Sequence, residues 1–242
     1  MASIDSKSGK VAFTHNKAGK DSVVILGHGY LSSRNSRTNQ KLVELLNREG
    51  ISTIAFDMYG HGESEGDVER LTVTKVVENI MALYDFAKSE GYGRIGLSGS
   101  SFTGIVSLIA ATKRDFTVLA LKCPVFDSKR LWDDRHGMEG LKEWREKGYV
   151  KPFEKKWYYE AYEDALQYDM KELAAGISIP VLVVHGDKDV TVDISHARDI
   201  VKYVSGEKKL VIIEGADHFF RDEKHFSMMV DETVQWLVSH LK

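Results

Sequence analysis

The sequence predicts an α/β fold, a mostly parallel sheet covered by helices on both faces. Three observations predict it. Short apolar runs rich in β-branched residues recur at 22–27, 51–57, 94–97, 118–123, 181–186 and 210–213, as expected of strands buried on both faces. Segments with apolar residues at helical spacing alternate with them. Several runs end in glycine-rich turns, and parallel sheets gather ligands outside the carboxyl ends of their strands.

The elements follow in order. Residues 11–15 read as a short edge strand ahead of the turn 16–21, and 22–26 as a strand running into Gly27-His28-Gly29-Tyr30. A helix follows, with Leu42, Val43, Leu45 and Leu46 on its apolar side and Gly50 as its stop. The strand 51–57 breaks at Met58-Tyr59-Gly60-His61-Gly62-Glu63-Ser64-Glu65-Gly66. Residues 73–90 are helical, since Val73, Val76, Val77, Ile80, Leu83, Tyr84 and Ala87 share one side and Gly91 follows. A strand at 94–97 meets a small-residue helix at 104–111, and another strand ends at Pro124-Val125-Phe126-Asp127. Residues 128–176 break the rhythm, being charged and rich in Trp and Tyr. It returns with the strand 181–184, a helix near 194–204, the strand 210–213 and a last helix over 221–241. The expected division is a core of residues 1–127 and 177–242, with 128–176 as a cap insertion.

Composition narrows the function. The 242 residues carry a net charge of −3 with no basic stripe, so nucleic acid is not an expected partner. No stretch approaches the length of a membrane span. The first ten residues are polar, with no apolar core of signal-peptide length, and a cytoplasmic location is expected. The single cysteine, Cys123, sits in an apolar run and reads as a buried, inert thiol.

The chemistry centres on Leu97-Ser98-Gly99-Ser100-Ser101-Phe102-Thr103-Gly104. A serine on a tight turn between strand and helix has its hydroxyl pushed out of the backbone, with helix-start amides beside it. Gly99 suits a turn with no room for a side chain. The usual pattern is G-x-S-x-G; here Thr103 holds the second glycine position and Gly104 follows. Either the helix sits slightly farther from its strand, or the threonine hydroxyl lines the turn.

Other strand ends supply partners. His185-Gly186-Asp187-Lys188-Asp189 follows one strand, Gly215-Ala216-Asp217-His218 another, and Gly27-His28-Gly29-Tyr30 a third. Serine, then aspartate, then histidine is the chain order of α/β hydrolases. On these segments, and on Asp57-Met58-Tyr59-Gly60-His61-Gly62-Glu63-Ser64, the chain resembles the α/β-hydrolase superfamily over nearly its whole length. It is most similar to small serine carboxylesterases: cinnamoyl or feruloyl esterases, monoacylglycerol lipase-like enzymes and the serine aminopeptidase-like group. The resemblance implies the α/β-hydrolase fold, Ser101 as nucleophile, His218 as base, Asp189 as orienting acid, and oxyanion amides on Tyr30 and Phe102. It implies hydrolysis of a small or medium ester, hydroxycinnamoyl esters among them, with neither metal nor organic cofactor. A thioesterase, amidase, peptidase or monoacylglycerol lipase shares this triad, and a non-catalytic binding protein shares the fold. A homodimer is the one protein partner kept open.

Other histidines and carboxylates compete for these roles. His28 and His61 lie in glycine-rich turns and read as structural, and His185 as a packing residue. Asp187 competes with Asp189 but suits the turn, Asp127 follows the strand after the elbow, and Asp57 reads as a turn-fixing carboxylate. In 128–176, Gly148 suggests a hairpin turn and 155–160 a strand, giving a small strand-bearing cap. Its aromatics are either the cap's own core or a pocket wall, for which Trp144, Trp157 and Tyr159 are the candidates.

Overall fold

The computed structural model describes residues 2–242. Strands β1 (Ala2–Ser6), β2 (Gly9–Asn16) and β3 (Ser22–Gly27) lead to helix α1 (Arg37–Arg48), strand β4 (Ser52–Phe56) and helix α2 (Val73–Ser89). Strand β5 (Arg94–Ser100), helix α3 (Phe102–Ala111) and strand β6 (Val118–Lys122) follow. The next stretch holds α4 (Ser128–Lys147), β7 (Tyr149–Val150), β8 (Trp157–Tyr158), α5 (Glu160–Ala165) and α6 (Met170–Ala175). Strand β9 (Val181–Gly186), helix α7 (Ser195–Tyr203), strand β10 (Lys208–Ile213) and helix α8 (Glu223–Leu241) finish the chain.

Eight strands form one sheet in the order β1-β2-β4-β3-β5-β6-β9-β10. The pairs from β4 to β10 are parallel, and β1 and β2 join antiparallel. Alternation within each strand sorts the core into two layers. Val23, Ile25, Leu119 and Leu121 pack with α2, α3 and α7, whereas Val24, Leu26, Val118 and Ala120 pack with α1 and α8. Burying each such aliphatic side chain stabilises the fold by roughly 1.5–3 kcal/mol. This is the mostly parallel, doubly covered sheet that the strand-and-helix alternation predicted, and its arrangement fits the α/β-hydrolase fold that the resemblance implied.

Three expectations need correction. The edge of the sheet is β1, and β2, read as the edge strand, lies one place in, between β1 and β4. The polar sequence of β1 hid it, because an edge strand needs few apolar residues. Gly148 is not a hairpin turn: it ends α4 in the left-handed conformation, with φ 81°. Residues 155–160 are strand only at Trp157–Tyr158, and Glu160 already opens α5. Residues 128–176 are therefore mainly helical, with one two-residue ladder between β7 and β8. Gly137, with φ 61° and ψ −179°, breaks α4 into two helical arms. Trp132 and Trp144, one on each side of the break, meet edge to face at 4.9 Å, a contact no continuous helix allows at that spacing. No helix among the described residues is long and apolar enough to cross a membrane.

Candidate active site

Ser101 stands between β5 and α3 with φ 54° and ψ −111°, a conformation that few non-glycine residues adopt. Three backbone bonds hold it there. Its N–H donates to Lys122 O at 2.9 Å, and its carbonyl accepts from Gly104 N–H at 2.9 Å and Val125 N–H at 3.0 Å. The neighbours leave no slack: a Cβ on Gly99 would lie 2.5 Å from Ser107 Oγ, and one on Gly104 2.4 Å from Pro124 Cβ.

Thr103 resolves the departure from the usual motif. It is fully buried, and its hydroxyl accepts from Ser100 N–H at 2.7 Å and donates to Ser100 O at 3.0 Å. Its bulk is received by Gly27 on β3, where a Cβ would sit 3.0 Å from the threonine side chain. The glycine has in effect moved to the neighbouring strand, and the threonine hydroxyl lines the turn.

His218 reaches Ser101 from the loop after β10. Its Nε2 lies 3.1 Å from Ser101 Oγ, and its Nδ1 2.6 Å from Asp189 Oδ2. The carboxylate assigns the tautomer, with Nδ1 donating to Asp189 and Nε2 free to accept from the serine hydroxyl. Asp189 is itself fixed by Thr191 N–H at 2.8 Å and Val192 N–H at 2.9 Å, both on Oδ1. Burial works to raise its pKa, but the hydrogen bonds from His185, His218 and Val192 outweigh it and hold the carboxyl well below the usual range. The structure thus brings Ser101, Asp189 and His218 into one hydrogen-bonded row along which a hydroxyl proton can pass to an imidazole.

The rivals sit elsewhere. Asp187 accepts from Gly215 N–H at 2.6 Å and serves its turn. Asp127 caps α4 through Arg130 N–H at 3.0 Å. Asp57 accepts from Arg34 N–H at 2.7 Å and pairs with the Arg34 guanidinium. Donor atoms of Cys123, Asp189 and His218 lie within 4.8 Å of one another. Burial pushes the Cys123 thiol well above its ordinary pKa, so it stays protonated and is a poor metal ligand.

Sequence reasoning missed one residue here. His185 is a packing residue, as read, but its Nε2 also lies 3.3 Å from Asp189 Oδ2 and 2.9 Å from Val192 O. It is fully buried and shares the carboxylate oxygen that holds His218. The signal was a histidine four positions before the acid, folded back by a glycine turn. Sequence spacing cannot tell that arrangement from packing.

Tyr30 and Ser101 line one cavity of about 350 Å³, together with Lys122, Thr191, His218 and Phe219. Phe102 is the first residue of α3, so its N–H has no acceptor within the helix. Gly29 brings the Tyr30 loop close: a Cβ there would be 3.4 Å from Ser101 Cβ. None of Trp144, Trp157 and Tyr159 lines this cavity. Trp144 and Trp157 are buried among the aromatics of 128–176, and Tyr159 is half-buried against Trp144, 5.6 Å away. Trp157 still touches the site, stacking on Tyr30 at 4.3 Å and lying 6.0 Å from Phe102.

A doubly covered parallel sheet, with a serine on a strained strand-to-helix turn beside a histidine, defines an α/β hydrolase. Comparison with known families agrees. The pattern of the Prolyl oligopeptidase family matches residues 36–242, and the chain belongs to that family. A 77-residue stretch is 35% identical to the monoacylglycerol lipase of Mycolicibacterium smegmatis, covering 31% of this chain and 28% of that one. The mitochondrial palmitoyl-protein thioesterase ABHD10 of mouse is 26% identical over 222 residues, 88% of this chain and 74% of that protein. Among solved structures, Est1E from Butyrivibrio proteoclasticus with ferulic acid bound has a TM-score of 0.88 at 24% identity, covering 99% of both chains. Mouse ABHD10 has a TM-score of 0.87 at 20% identity, covering 100% of this chain and 99% of that one. These two likenesses show a common fold.

Proposed function

We propose that the protein is a serine carboxylesterase acting on small or medium esters, aryl and hydroxycinnamoyl esters among them. The observation that carries the reading is the row Ser101 Oγ, His218 Nε2 at 3.1 Å, His218 Nδ1, Asp189 Oδ2 at 2.6 Å. A serine hydroxyl is a weak nucleophile at neutral pH. His218 takes its proton as Ser101 attacks the ester carbonyl, then returns that proton to the leaving alcohol. Asp189 keeps the imidazole in the accepting tautomer and stabilises the cation that forms. Water, activated by the same histidine, then releases the acid from Ser101.

In this reading the developing oxyanion sits between the N–H groups of Tyr30 and Phe102. Removing one donor of this kind costs roughly 3–4 kcal/mol of transition-state stabilisation. Residues 128–176 serve as the cap. Trp144, Trp157 and Tyr159 act through it, Trp157 by stacking on Tyr30 rather than by walling the cavity. The names of the relatives support hydrolysis of an acyl bond and differ over which one: monoacylglycerol lipase, and palmitoyl-protein thioesterase.

A fluorophosphonate probe tests the reading. Stoichiometric labelling of the native protein, lost in Ser101→Ala, is the expected result; absence of labelling identifies a binding protein on a hydrolase fold. A panel of esters of graded chain length, including methyl ferulate, with thioester and amide counterparts, then orders the substrates by kcat/KM.

A further inference from the structure

Lys122 is the last residue of β6, directly beside Ser100 in the parallel register. Its carbonyl takes the Ser101 N–H, so its backbone cannot move without moving that serine. Its side chain belongs to the same face of the strand as Val118 and Ala120, which are fully or almost fully buried against α8. A lysine continues an apolar row at the mouth of the site.

The ammonium has little to satisfy it. Nζ lies 3.4 Å from the neutral hydroxyl of Ser100 and 5.5 Å from the Phe220 ring centroid. Among the described residues no carboxylate comes within ion-pair distance. The nearby carboxylates are engaged elsewhere, Asp189 with His218 and His185, and Asp217 with Arg221. Burial pushes the Lys122 pKa below its ordinary value, as a desolvated cation without a counter-ion requires. Such a charge is costly unless a partner arrives.

The cavity is suited to supply that partner. Lys122 and Ser101 both line it, as does Arg37, which is laid over Phe226 and paired with Glu223. Ser36, Thr38 and Thr191 add hydroxyls, and no aspartate or glutamate is among the lining residues. An anion entering here meets one cation without an ion-pair partner and no carboxylate on the cavity wall.

We propose that Lys122 is the counter-ion for an anionic group on the substrate, so that the preferred esters carry a carboxylate a few bonds from the scissile carbonyl. This rests on the serine-hydrolase reading above and narrows its substrate class. The anion neutralises the ammonium, and the scissile carbonyl is held over Ser101 while it does so. The shared chemistry is the carboxylate, on either the acid or the alcohol side of the ester.

Two matched pairs of substrates test this. Monoethyl adipate against ethyl hexanoate places the charge on the acyl side; 4-butyryloxybenzoate against 4-butyryloxybenzamide places it on the alcohol side. The native protein should favour the charged member of at least one pair by about tenfold or more in kcat/KM, about 1.4 kcal/mol. Added salt should narrow the ratio. Lys122→Met should bring the ratio to about one, and Lys122→Arg should keep most of it. Fluorophosphonate labelling of Ser101 in each variant reports whether the site is intact. If Lys122→Met fails to fold, the native ratio, its salt dependence and Lys122→Gln decide the matter. Native protein that labels and cleaves neutral esters but shows no charge preference overturns the role of Lys122 alone. Equal loss on both members of a pair in Lys122→Met overturns it as well. Native protein that neither labels nor cleaves any ester overturns the hydrolase reading and this proposal together.

Discussion

His28 and His61 each accept a hydrogen bond from the other's segment. His28 Nε2 takes Met58 N–H at 3.1 Å, and His61 Nε2 takes Leu31 N–H at 3.1 Å. The rings meet edge to face at 5.2 Å, and each Nδ1 donates to a nearby carbonyl, Gly29 O at 2.7 Å and Tyr59 O at 2.9 Å. This cross-tie fastens the loop carrying Tyr30 to the glycine-rich turn after β4. Arg34 and Asp57 fasten the same two segments a little farther along.

Breaking the cross-tie should therefore damage both stability and turnover. His61→Ala leaves the Leu31 N–H without its acceptor, and because Leu31 is exposed the loss is that of an ordinary hydrogen bond, about 0.5–1.5 kcal/mol. Because Leu31 adjoins Tyr30, kcat should fall more than KM rises. Urea unfolding and ester kinetics on the same preparation check both parts. Unchanged kinetics would show that the Tyr30 loop holds its place without His61.

The buried histidines also set an acid limit. Burial is the main cause that lowers the His28 pKa from 6.5 to about 4. Burial, then the charge of Arg130, lowers His196 from 6.5 to about 3. Both rings accept backbone N–H bonds and must stay neutral to do so, His196 from Phe126 N–H at 3.1 Å. Above the unfolded value neither state binds the proton, and the full stability is present. As pH falls below 6.5 the unfolded chain takes up protons that the folded chain refuses, until the folded pKa values near 4 and 3 are passed. Stability should decline across that window by about 1.4 kcal/mol per pH unit for each histidine. Unfolding midpoints at stepped pH measure the decline, and His196→Asn should remove its own share, leaving the part that His28 contributes down to about pH 4.

Gly27 and Thr103 should behave as a coupled pair. Gly27→Ala puts a methyl 3.0 Å from the threonine side chain, and overpacking of this kind costs about 1–3 kcal/mol. In a Thr103→Gly background that penalty should largely disappear, which a double-mutant cycle on thermal stability will detect. Additive losses would show that the two residues do not share the space.

His185 should act as a positioning residue for the proposed acid. His185→Phe removes a donor from Asp189 Oδ2, and one lost hydrogen bond to a charged group is worth about 1.5–3 kcal/mol. The expected result is a kcat lowered by about tenfold or more with KM little altered. His185→Gln should recover part of it. A loss confined to thermal stability would leave His185 as packing alone.

Much of this was legible in the residues themselves. The alternation of β-branched runs with helical spacing predicted the doubly covered sheet, because strands buried on both faces must be apolar throughout. Ser101, Asp189 and His218 were legible because each stands where a strand ends in a glycine turn. The polar strand β1 was not, since pairing at a sheet edge leaves little mark on composition. Nor was the helical character of 128–176, where charged residues around Trp132 and Trp144 conceal the buried side.

The sequence by itself determined the fold and the order of its turns, because burial periodicity and glycine requirements are local properties. Only the tertiary structure decided which groups meet. It placed His185 against the same carboxylate oxygen as His218, gave Thr103 its space through Gly27, tied His28 to His61, and left Lys122 without a counter-ion beside Ser100. These are contacts between neighbouring strand ends and loops far apart in the chain, and no local pattern encodes a distance across the sheet.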